Sequence, residues 1–78
     1  MAKKTMSKQQ SDLLDYLDMQ IDYHRSVKSI MPQRIGLNRK AFQLFKDIQV
    51  KKKELTGSKL KHLEETRYRG VEIYLANG

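Results

Sequence analysis

Seventy-eight residues make one small domain whose core sits at the low end of what folds alone. The chain has no cysteine, so neither a disulfide nor a cysteine-ligated zinc can add to that core, and no apolar run approaches the roughly 18 residues of a membrane span. Sixteen Lys and Arg against nine Asp and Glu leave a formal net charge of +7, a balance that favours polyanionic partners.

The basic stretch Met1 to Lys8 is followed by no apolar segment, so it does not read as a secretory signal. With the lack of cysteine, this gives the expectation of a cytoplasmic chain without a membrane association. Residues 1–7 show no periodicity and are expected to form a disordered basic arm ahead of a single domain, 8–78. Ser7 and Gln10 have the spacing of a capping box, which starts a long helix over about 8–30. Leu13, Leu14, Leu17, Ile21, Val27 and Met31 fall on one apolar arc, flanked by Tyr16, Tyr23 and Ile30. Asp15, Asp18, Asp22 and Arg25 fall on the opposite side, and Pro32 disfavours helix at Met31.

Ile35 and Leu37 alternate around Gly36, which suits a short strand over 34–37, and Asn38 is a good cap for a second helix over 39–54. That helix presents Ala41, Phe42, Leu44, Phe45 and Ile48 on one face. Gly57-Ser58 is a stop-and-start signal that predicts a separate short helix over 58–66. Leu55, Leu60 and Leu63 keep the phase of the second helix, however, so one unbroken helix is the alternative. Val71, Ile73 and Leu75 alternate with Gly70, Glu72 and Tyr74 and predict a C-terminal strand over 69–76. A lone strand needs a ladder partner, either the 34–37 segment or the same strand of a second copy. The fold class expected is therefore α+β and mostly helical, with a strand-paired homodimer as one arrangement. In layout the second half resembles a winged helix-turn-helix, with Lys59, Lys61 and His62 facing the DNA and Arg67–Arg69 as the wing.

Charge is unevenly placed. Residues 9–31 carry Arg25 and Lys28 against Asp12, Asp15, Asp18 and Asp22, a net of −2, while 32–78 carry eleven basic side chains against five acidic ones, a net of +6. Lys3, Lys4 and Lys8 supply the rest. The candidate nucleic-acid contacts are Arg39, Lys40, Lys51, Lys52, Lys53, Lys59, Lys61, Arg67, Tyr68 and Arg69. In this set Lys51–Lys53 are too many to be buried, and Tyr68 sets a ring between two guanidinium groups. The same residues also suit a solvated charged face. Asp15, Asp18 and Asp22 form an acidic stripe that is either solvated or a docking face for a basic partner; with Val71 and Ile73 at a strand edge they are the candidate protein interface.

Nothing in the sequence supports catalysis, a metal site or a cofactor. No serine sits in a nucleophile elbow, the four glycines are scattered, and His62 with Glu65 offers only two of the three or four ligands a metal needs. His24 projects into the apolar arc, where a packed imidazole is the ordinary explanation. The expectation is a small non-enzymatic accessory or regulatory protein, of the size and charge common among phage and plasmid proteins, that binds DNA or RNA through its second half. The alternative is a protein-interaction module, an inhibitor or adaptor, working through the acidic stripe or the C-terminal strand edge.

Overall fold

The computed structural model describes residues 3–76; Met1, Ala2, Asn77 and Gly78 lie outside it. Two helices pack on one face of a mixed four-stranded sheet, a small α+β domain. The elements are β1 (Lys4–Thr5), α1 (Lys8–Val27), β2 (Arg34–Leu37), α2 (Arg39–Lys51), β3 (Leu55–Thr56), β4 (Leu63–Glu64), β5 (Arg67–Tyr68) and β6 (Val71–Leu75). Short 3₁₀ segments occupy Lys52–Glu54 and Ser58–His62.

The capping box forms as the sequence predicts. The Gln10 backbone N–H donates to Ser7 Oγ at 3.2 Å and the Ser7 N–H to Gln10 Oε1 at 2.9 Å, satisfying both donors at the start of α1. Lys4–Thr5 is not a disordered arm: it pairs in parallel with Leu55–Thr56, so β1 and β3 form a two-stranded ladder of their own. At its other end α1 stops at Val27, a turn short of the expected boundary. Ser29 takes a left-handed φ of 58°, and the Ile30 N–H reaches back to the His24 carbonyl at 3.4 Å.

Asn38 Oδ1 accepts the Ala41 N–H at 2.8 Å and opens α2. The second helix ends at Lys51, and the chain then tightens into 3₁₀ geometry before β3. The short helix expected over 58–66 is replaced by the 3₁₀ segment Ser58–His62 and the hairpin β4–β5. Leu63 and Tyr68 are cross-strand partners in this hairpin and both are buried, so pairing delivers two large side chains to the core at once. The winged-helix layout is absent because no recognition helix forms here.

Strand order is β2-β6-β5-β4, with β2 parallel to β6 and the remaining pairs antiparallel. Arg69 (φ 54°) and Gly70 (φ 82°) make the two-residue β5–β6 turn, whose two left-handed positions match the twist of a tight hairpin. Strand β6 therefore has a neighbour on each edge inside one chain, and the expected pairing with a second copy is superseded. Val71 and Ile73 are 1% and 2% exposed and belong to the core rather than to a surface interface.

The core joins Leu14, Leu17 and Ile21 of α1, Phe45 and Ile48 of α2, and Ile35, Leu37, Leu63, Tyr68, Val71 and Ile73 from the sheet. Each large aliphatic side chain in it contributes about 1.5–3 kcal/mol through burial. Val27 and Met31, expected on the same arc, lie outside it and are exposed. On the outer sheet face, Arg34 stacks 4.6 Å from the Tyr74 ring. No helix of the described residues is long and apolar enough to cross a membrane.

Candidate nucleic-acid interface

The acidic stripe of α1 faces the chain's own basic half. Lys59 Nζ pairs with Asp15 and lies 3.4 Å from Asp18 Oδ2. The Arg69 guanidinium sits 3.0 Å from Asp18 Oδ1 and 3.4 Å from Asp22 Oδ1. Tyr68 adds its hydroxyl to Asp18 at 3.1 Å. Burial, then the adjacent Asp18 carboxylate, pushes the Tyr68 phenol well above its ordinary range. For Arg69, partial burial works against the charge, but the bond to Asp18 and the field of Asp22 outweigh it and the guanidinium is held more firmly charged. Three of the ten candidate nucleic-acid contacts, Lys59, Tyr68 and Arg69, are thus engaged by the carboxylates of the α1 stripe, and Tyr68 is too deeply buried to stack on a base.

The remaining candidates separate into three places. Arg67 stands on the outer sheet face, across the ladder from Glu72, and Lys61 is exposed in the 3₁₀ segment. Arg39, Lys40 and Lys51–Lys53 belong to α2 and its 3₁₀ extension, all exposed. Within that group Lys51 Nζ lies 3.4 Å from Asp47 Oδ1, and Lys52 Nζ donates to the Leu63 carbonyl at 2.6 Å.

Two basic groups outside those ten candidates join the same surface; sequence reasoning counted Lys46 with the basic second half and missed only where the arm lies. Lys3 and Lys4 reach the same end of the molecule because β1 pairs with β3, which sets Lys4 opposite Leu55, two residues after Lys53. Lys46 shares the solvent face of α2 with Arg39, Gln43 and Val50 at i, i+4, i+7 and i+11, and Lys53 continues the line. The seven-residue spacing of Arg39, Lys46 and Lys53 is a helix-face signal visible in the sequence; the arm's position is not.

Formal charge follows this division. Residues 3–8 and 39–54 hold nine basic side chains (Lys3, Lys4, Lys8, Arg39, Lys40, Lys46, Lys51, Lys52, Lys53) against Asp47 and Glu54, which is the whole net charge of +7. The rest of the chain has seven basic and seven acidic side chains and is neutral. Beside α2, a groove of about 600 Å³ against α1 has Leu13, Ala41 and Leu44 at its floor and Asp12, Lys40 and Asp47 around it. Among the described residues no cluster of three His, Cys, Asp or Glu is placed to hold a metal.

Comparison with protein-family models, with curated proteins and with solved structures gives no match to the chain.

Proposed function

We propose that this chain is a non-enzymatic nucleic-acid-binding protein whose contact surface is the N-terminal arm together with the solvent face of α2. The observation that carries the proposal is the confinement of the entire net charge of +7 to those two segments, against a neutral remainder. A predominantly basic surface on a neutral body attracts a phosphate backbone and orients the protein on it. The chemistry of the α2 face fits such a partner. Arg39, Lys46 and Lys53 provide phosphate or guanine contacts, and the exposed Gln43 and Val50 lie between them as amide and methyl groups.

Binding of labelled duplex DNA, single-stranded DNA and RNA across a salt series tests the proposal. Four to five phosphate contacts give a log–log salt slope of about −4 on duplex DNA, so affinity falls by about two orders of magnitude between 50 and 200 mM salt. Absence of binding to all three probes at the low-salt end overturns it.

A further inference from the structure

The exposed face of α1 carries a second apolar strip that the core does not use. Projected at about 100° per residue, Tyr16, Met19, Tyr23 and Val27 fall within a strip about 80° wide, turned away from Leu14, Leu17 and Ile21. Ile30 and Met31, beyond the left-handed Ser29 that follows the helix, are exposed as well. All six side chains are between 42 and 62% exposed. Between Tyr16 and Val27 the strip contains no charged residue. A soluble domain seldom leaves such a contiguous surface uncovered.

We infer that this strip is the interface of a homodimer, in which the α1 helices of two copies pack antiparallel across a two-fold axis near Tyr23. Three observations point to a second copy as the occupant. The first is area: with whole-residue surfaces of roughly 170–260 Å², the six exposures amount to about 700 Å² per copy. A pair that covers all six then buries at most about 1,400 Å², which reaches the roughly 1,200–2,000 Å² of stable, specific interfaces only if the segment after α1 closes over the partner as well. The second is charge. The flank of the strip holds Asp15 and Asp22, and the chain's own Lys59 and Arg69 already bind them, so two identical flanks meet without like-charge repulsion. The third is symmetry. An uncharged strip is complementary to itself, Tyr16 and Val27 mark its two ends on α1 with Met19 and Tyr23 between them, and an antiparallel pair opposes the helix dipoles. Strand pairing cannot serve instead at β6, whose two edges are filled within one chain.

The interface is independent of the basic surface, so its test needs no nucleic acid. Sedimentation equilibrium of the full chain at about 100 μM is expected to give twice the 9.2 kDa monomer mass. Tyr23→Asp and Val27→Asp replace exposed side chains, and each is expected to raise the dimer dissociation constant at least about tenfold while leaving the helical circular dichroism unchanged. Lys51→Ala with Lys53→Ala leaves the mass unchanged, which separates this inference from the nucleic-acid proposal. A monomer at that concentration, or a dimer indifferent to both aspartate substitutions, overturns it.

Discussion

The Tyr68 hydroxyl donates to Asp18 Oδ2 at 3.1 Å, joining a fully buried ring on β5 to a carboxylate on the acidic stripe of α1. This bond ties the sheet to the helix across fifty positions of sequence, and Arg69 on the next residue repeats the connection from the β5–β6 turn.

Tyr68→Phe keeps the ring and removes the bond, and is expected to cost about 1–2 kcal/mol in urea unfolding at neutral pH. Its effect on pH dependence is more distinctive. Burial and Asp18 hold the phenol protonated above its ordinary value, while the unfolded chain ionises near pH 10. The folded state therefore retains a proton that the unfolded state loses. The contribution of Tyr68 is complete below about pH 10 and declines as pH rises beyond it. Unfolding series between pH 8 and 11 should show a shallower alkaline decline for Tyr68→Phe than for the parent; parallel curves contradict this account.

Asp18 and Arg69 are half-buried partners, so their pair is worth more than a freely solvated one. A double-mutant cycle with Asp18→Ala and Arg69→Ala is expected to give a coupling energy of about 0.5–2 kcal/mol, decreasing with added salt. Additivity of the two single losses would mean that the contact is only geometric.

Gly36 is required by packing. A Cβ at this position would overlap that of Ala76 and come within 2.9 Å of the Tyr74 ring, which lies across β2 beneath Arg34. Gly36→Ala must therefore push β6 or the Tyr74 ring aside, at about 1–3 kcal/mol, read as a lowered urea midpoint. An unchanged midpoint would show that the outer sheet face repacks freely.

Basic residues are expected to divide sharply in a binding assay. Lys51→Ala with Lys53→Ala lowers the magnitude of the salt slope by about 2, whereas Lys59→Ala lowers stability and leaves the slope unchanged, because Asp15 and Asp18 hold that ammonium. Lys52 is left out of the pair because it also secures β4 through the Leu63 carbonyl. Equal losses from Lys59→Ala and from the pair would mean that the acidic stripe releases its partner on binding.

Local chemistry made much of the fold legible. Ser7 with Gln10, Asn38, and the alternation of Ile35 and Leu37 and of Val71 and Ile73 are signals satisfied within a few residues, and each element forms where they stand. Residues whose conformation is chosen by distant partners were not legible. Leu63 shares the helical phase of Phe45 and Ile48, yet it becomes a strand residue because Tyr68 pairs with it and β6 extends the ladder. Gly70 was visible as the end of a strand pattern but not as half of a turn, since Arg69 gives no local sign of a positive φ. In the candidate site, Lys59 and Arg69 look like free cations in sequence because their carboxylates lie more than forty residues away. Val27 lies at the edge of the apolar arc and turns to the outer face of α1, and Met31 lies beyond the end of the helix, so both are exposed.

The central position of β6, the last strand of the described chain, also sets the order in which the molecule can be built. Strands β2 and β5 touch only β6 and the small β4, so most of the sheet has no template before Val71–Leu75 is in place. During synthesis α1 and α2 would emerge with Leu17, Phe45 and Ile48 facing no floor. Folding of the sheet must then wait until Val71–Leu75 has left the ribosome, and the long-range pairing of β2 with β6 makes it slower than a helical bundle of equal length. A nascent chain stalled at Gly70 would be a sticky, protease-sensitive pair of helices rather than a smaller version of the native domain.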